Sequence, residues 1–229
     1  MTSQGRSVIL ALCIVLLQPT GIFAIPADVY LIPDRHESAW GLQYNSILQR
    51  DFSKLEGEGQ TTQGFLQASY GLTDRLLLDG KIGMGSVRFE RADGVTLDFP
   101  AGFAGGYGFR YLFREPQAKQ QILAGFQHIS CHPLKDTVND VDYRAIWDEW
   151  QGTLIVRHSW KKISVYAGPQ YTALQLKYKE NDSGSRLKAD NSWGGCVGAE
   201  YSWSDRAAVN MGLRGGAELG FDLGLRYLF

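Results

Sequence analysis

The sequence predicts an all-β chain that closes on itself as a transmembrane, antiparallel, up-and-down β-barrel of about ten strands, following a cleaved signal peptide. Three observations lead there. Apolar and polar residues alternate with period two over nearly the whole chain beyond residue 37. The links between these runs switch between short polar turns and longer segments. The polar face is built from glycine, amides and a balanced set of charges, which suits an enclosed lumen better than a water-facing surface.

The alternation is clearest at the end of the chain. Phe221, Leu223, Leu225, Tyr227 and Phe229 share one face, and Asp222, Gly224 and Arg226 share the other. Earlier, Phe99, Ala101, Phe103, Tyr107, Phe109, Tyr111 and Phe113 lie opposite Asp98, Gly102, Gly106, Gly108 and Arg110. That stretch exceeds an ordinary globular strand and suits a tilted membrane strand with an extension. Ten runs can be read, at roughly 38–50, 60–71, 75–90, 95–113, 119–131, 146–160, 163–179, 190–203, 206–215 and 217–229. Short polar turns fall at 72–75, 114–118, 160–162 and 204–206, and longer links at 51–59, 132–145 and 180–189. The apolar parity of the seventh run shifts after Pro169, so a β-bulge is expected there.

The chain opens with Arg6, an unbroken apolar run from Val8 to Leu17, and a small residue, Ala24, before Ile25 and Pro26. Ten apolar residues suit the core of a secretory signal, whereas a membrane-spanning helix needs ~20. The expected organisation is a signal peptide at 1–24, a periplasmic N-terminal segment at 25–37 and a barrel at 38–229. Cys13 lies within the apolar run and follows Leu12, where lipidation would require a small residue. Without Arg6 the chain has 22 basic and 24 acidic residues, net −2, which gives no reason to expect nucleic acid as a partner. Cys131 and Cys196 remain, and their bonding is left open.

Alternation alone does not say which face meets lipid, because a soluble barrel of the lipocalin type alternates too. The polar face decides. It carries Asp79, Lys81, Asp98, Arg110, Glu149, Arg157, Glu200, Arg214, Asp222 and Arg226, with Gln63, Gln67, Gln127, Gln151 and Asn210. Acids and bases balance, and Lys81 is the lone lysine, as expected of an interior charge network. Trp40, Tyr70, Trp150, Trp160, Tyr201, Trp203 and Tyr227 fall near strand ends, as aromatic girdles would.

The terminal Phe229, with Tyr227 on the same face, resembles the assembly signal of bacterial outer-membrane barrels. The segment Tyr70-Gly71-Leu72-Thr73-Asp74-Arg75 resembles the strand–turn–strand junction of small porin-like and OmpW-like barrels. The resemblance implies the bacterial outer membrane, with both termini in the periplasm. It implies the barrel assembly machinery, outer-membrane lipids and lipopolysaccharide as partners, and it specifies no activity.

An eight-stranded barrel is just filled by its side chains, and open porins need sixteen or more strands. A barrel of about ten strands lies near the filled end. Its charges read first as a structural ion-pair core and second as a narrow solute path past Arg110, Arg157 and Arg214.

One constellation has possible chemistry. His128 and Ser130 lie two apart on the apolar face of the fifth run, with Ile122, Ala124 and Phe126. Asp148 shares the apolar parity of the next run and could orient the imidazole across the hairpin. This resembles the His-x-Ser arrangement of outer-membrane lipid A deacylases and the outer-membrane phospholipase, where an Asn usually follows the Ser. Here Cys131 and His132 follow. The alternative is rim polarity in the lipid headgroup zone.

Asp136, Asn139, Asp140 and Asp142 match no calcium-loop spacing and read as a solvated loop, while Cys131 with His132 is too few ligands for a metal. No cofactor is expected. The best reading is a non-enzymatic barrel, structural or with a narrow path. A lipid hydrolase using Ser130, His128 and Asp148 is the alternative, and surface interaction through 132–145 and 180–189 is a third.

Overall fold

The computed structural model describes residues 32–52, 57–113, 118–181 and 183–229; the expected signal peptide lies outside them. The strands are β1 (Ser38–Asp51), β2 (Glu58–Gly71), β3 (Leu76–Glu90), β4 (Thr96–Leu112), β5 (Gln120–His132), β6 (Asp136–Val138), β7 (Val141–Trp160), β8 (Ile163–Glu180), β9 (Ser183–Lys188), β10 (Trp193–Ser204), β11 (Ala207–Gly215) and β12 (Leu219–Leu228). Consecutive barrel strands pair antiparallel, and β1 pairs with β12, so ten strands close into a barrel. The short β6 and β9 are not barrel staves. They fold back on β7 and β8 as hairpins at the long-loop end. At the seam, the Phe229 amide donates to the Ser38 carbonyl (2.9 Å).

The turns follow from local chemistry. The Thr73 hydroxyl accepts the amides of Arg75 and Leu76 (3.2 and 2.9 Å), fixing the short β2–β3 turn. Asn139 and Asp140 both adopt positive φ (52° and 63°), the backbone of a two-residue hairpin whose twist matches its strands.

The outer surface is apolar all round. Leu42, Ile82, Met84, Phe103 and Leu213 are each more than half exposed, which only lipid accommodates. Trp40, Tyr70, Trp160, Trp203 and Tyr227 are exposed at the short-turn end, and Trp150, Tyr171 and Trp193 lie on the half toward the long loops.

The lumen is layered. Toward the long loops, Phe52, Phe89, Phe99, Trp147, Leu174 and Leu176 form a buried apolar plug. Phe52 meets Phe89 and Trp147 edge-on, with ring centroids 5.7 and 6.1 Å apart. Toward the short turns, Leu77, Leu112, Leu123, Ile155, Tyr166 and Cys196 form a second apolar layer, against which Ile32 packs. Charges and amides fill the space between. Cys131 lies in the first layer and Cys196 in the second, and both are free thiols.

This layering corrects three expectations. No register shift occurs at Pro169: β8 keeps one parity, and its pairing with β10 runs without interruption. The apolar parity changes there because Leu174 and Leu176 point into a lumen that has itself become apolar. A bulge lies instead in β4, where Pro100 and Ala101 oppose the single residue Ser86. It turns Phe99 into the plug and leaves Asp98 exposed on the outside, so Asp98 is not a lumen charge. The segments 132–145 and 180–189 are not plain loops, because hairpins extend β7 and β8 beyond the barrel rim.

Trp147 is fully buried at the centre of the plug. Trp147→Ala should lower the unfolding free energy by about 3–5 kcal/mol through the cavity it leaves, read by urea titration of the folded barrel in micelles.

Candidate functional site

Two places in the barrel concentrate chemistry: the polar layer of the lumen and the outer rim near β5–β7. In the lumen, Arg110 grips Asp79 through two parallel hydrogen bonds (2.8 and 2.6 Å). Ser69 donates to Asp79 and accepts from Arg110 (3.0 Å) and Arg226 (2.8 Å), tying β2, β3, β4 and β12 together. Arg157 donates to Glu200 (2.6 Å), Gln121 (2.9 Å) and Ser164 (3.0 Å). Lys81 donates to Gln127 (3.0 Å), Gln127 to Gln151, and Gln151 to Glu149, which also accepts the Trp147 indole N–H (3.2 Å). Asn210 donates to Asp222 (3.0 Å).

The structure thus places Asp79, Lys81, Arg110, Glu149, Arg157, Glu200, Arg214, Asp222 and Arg226 facing the lumen. It adds two groups not named among the lumen charges above. Glu218 accepts from Arg214 (3.0 Å) and from Arg50 (3.5 Å), and all three side chains are buried. Arg50 escapes a period-two reading because β1 shifts register after Ile47, leaving Leu48 and Gln49 both outside. Glu218 lies within the run at 217–229 and shares the even parity of Asp222 and Arg226, so the alternation already pointed it inward.

On the rim, His128, Ser130 and His132 follow one another on the outward face of β5. Strand register sets Ser130 opposite Asp148 and His128 opposite Trp150. The His128 ring stacks on Trp150 with centroids 4.1 Å apart, and its Nε2 lies 2.8 Å from Asp148 Oδ1. The other Asp148 oxygen accepts from Lys177. The Ser130 hydroxyl, however, pairs with His132 Nε2 (2.9 Å). The expected Ser130–His128–Asp148 relay is therefore split into two pairs, one around Ser130 and one around Asp148. His132 is the group that the sequence reading missed. Its position at the same parity, two residues on, is the signal that would have found it.

Beyond this rim the outward face becomes basic. In the β7–β8–β9 ladder, Arg144 stands directly opposite Lys179, and Lys177 directly opposite Arg186. Like charges facing each other across a ladder are unfavourable. Lys135 is paired with Asp142 (2.7 Å), and the hydrogen bonds from Lys135 and Thr137 hold that carboxyl below its usual pKa.

No protein-family model and no curated protein sequence matches this chain. Solved structures with a similar path include the translocator domain of the autotransporter NalP from Neisseria meningitidis (11% identity, TM-score 0.47, covering 99% of this chain and 95% of that one). The transport unit of the autotransporter AIDA-I from Escherichia coli is similar at 11% identity and TM-score 0.48, covering 96% and 97%. An outer-membrane channel from Pseudomonas putida F1 is similar at 14% identity and TM-score 0.45, covering 90% and 98%. These likenesses concern barrel architecture and not activity.

Asp79→Asn should cost about 3–5 kcal/mol, because it leaves Arg110 buried against a neutral amide, whereas Asp98→Asn on the outside should change stability by less than about 0.5 kcal/mol. Urea titration monitored by the gel mobility of the folded barrel separates the two.

Proposed function

We propose that this protein is a structural, non-enzymatic β-barrel of the bacterial outer membrane, with both termini in the periplasm and a lumen closed to solutes. The observation that carries the reading is the filled interior. Trp147, Phe52, Phe89 and Phe99 are almost wholly buried toward the long loops, and Arg110 and Arg214 are likewise buried below them (1% and 3% exposed). An ion or small solute would have to displace bonded charges and pass two apolar layers. Both described ends of the barrel lie at the short-turn side, as the periplasmic reading requires. Phe229 and Tyr227 are exposed at that side and are read as the segment that the barrel assembly machinery recognises.

A second reading rests on the rim hydrogen bonds: an esterase acting on membrane lipids. Ser130 would attack an ester carbonyl while His132 takes its proton and then returns it to the leaving alcohol; water would release the acyl group. His128 and Asp148, held by Lys177, would shape the adjoining wall. The outward position is what favours this reading, because a lipid ester reaches the hydroxyl without entering the barrel.

Purified barrel in planar bilayers should give no conductance steps above the protein-free membrane; regular steps from the wild-type protein would overturn the closed-lumen reading. Mass spectrometry of envelope lipids from a Gram-negative host decides the second reading. Under it, wild type removes an acyl chain, and Ser130→Ala and His132→Gln both abolish the loss. Lipids unchanged by the folded wild type reject it.

A further inference from the structure

The like-charge ladder above the rim is countered by the chain at Lys177, through Asp148, while Arg144, Lys179 and Arg186 stand together with no ion pair among the described residues. We propose that the outward groove between the β5–β6 link, β7, β8 and β9 binds the phosphorylated headgroup of an outer-leaflet glycolipid, with at least two phosphates engaged. The proposal rests on the membrane placement of the barrel and is independent of any chemistry at Ser130.

Charge is the first support. The groove, of about 760 Å³, is lined by His132, Lys135, Arg144, Lys177, Lys179 and Arg186. The facing pairs Arg144–Lys179 and Lys177–Arg186 set four cations in a compact block. The nearby carboxylates are already engaged: Asp148 with His128 and Lys177, and Asp142 with Lys135 and Thr137. A cluster of this sign, directly paired across strands, is stabilised by an anion that bridges the rows. One phosphate can bridge Arg144 and Lys179, and a second can sit on Arg186 one pair-step along the ladder, beside Lys177, which already holds Asp148.

Depth is the second support. The block lies on the same outward face as the aromatic residues Trp150 and Tyr171, on the long-loop side of both. From Trp150 to Ile146, which stands opposite Lys177, is four residues, or ~13 Å along the strand. A girdle aromatic sits at the membrane interface, so the cations stand at headgroup height, with strand tilt shortening the vertical step. Leu134, 60% exposed, and Ile146 add apolar surface to the same groove, where the first carbons of an acyl chain would run. A soluble anion would have no use for that apolar edge.

The test uses the refolded full barrel in detergent micelles. Binding of bisphosphorylated lipid A, its dephosphorylated counterpart and inorganic pyrophosphate is compared by native mass spectrometry and by titration. The expected order is tight binding of the bisphosphorylated lipid and at least about tenfold weaker binding of the other two. The triple variant Arg144→Gln, Lys179→Gln, Arg186→Gln should lose at least about tenfold for the bisphosphorylated lipid only. The charge-preserving set Arg144→Lys, Lys179→Arg, Arg186→Lys should retain binding. Equal binding of the phosphate-free lipid overturns the proposal, and so does pyrophosphate binding as tightly as the lipid, which would mark a soluble-anion site. If the triple variant fails to fold, salt dependence of the wild type decides: lipid affinity must fall with added salt, and affinity indifferent to salt overturns the proposal. Failure of the membrane reading is distinguishable, because the barrel would then fold in aqueous buffer without detergent.

Discussion

The seam between β1 and β12 is the constraint on which the rest of the structure depends. Within hydrocarbon no water is present to satisfy a strand edge, so each backbone donor and acceptor must find a partner inside the chain. The antiparallel pairing of Ala39 through Gln49 with Leu228 through Leu219 removes both edges at once. Closure then dictates the alternation. Every second residue faces lipid and must be apolar or aromatic, and every other residue faces an interior of fixed width. With ten strands that interior is narrow, and its contents are set by what can fill it without leaving a charge alone.

The lumen solves this with layers. Arg110, Asp79, Ser69 and Arg226 form one bonded group, and Arg157, Glu200, Gln121 and Ser164 another. Each arginine delivers several donors in a fixed fork, so it satisfies acceptors on several strands at once. The apolar layers at the two ends keep the charges away from bulk water and strengthen their mutual attraction. The same layers fill the passage at both ends, and the proposed closed lumen rests on them.

That outer surface changes character at one border. Below the rim near Trp150 it is apolar; above it the β7–β8 extension carries Arg144, Lys177 and Lys179. The extension owes its position to the two hairpins, β6 with β7 and β9 with β8, which carry the sheet past the plug. His128, Ser130, His132 and Asp148 mark the border itself. They bring polar groups onto a face that is otherwise lipid-contacting, at the one depth where water, phosphate and acyl chains meet.

Much of this was legible in the residue order. Period-two alternation needs no tertiary information, because adjacent side chains on any strand point to opposite faces; it sufficed for the ten strands, their outward face and most of the lumen charges. What the order of residues could not settle is parity across a break. The bulge at Pro100 and Ala101 reverses the faces of Phe99 and Asp98, and the shift after Ile47 brings Arg50 inside. A one-residue slip inverts every side chain beyond it, and only the pairing with a neighbouring strand locates the slip. The plug was hidden for a related reason: Leu174 and Leu176 read as a change of face because apolar was equated with lipid. The partner of Ser130 was decided by side-chain reach across neighbouring positions, which spacing cannot specify. The sequence by itself determined that the chain alternates, closes and spans. The tertiary structure decided which residues seal the lumen, which hydrogen bonds form at the rim, and that four cations stand face to face above it, because those facts depend on register between strands distant in the chain.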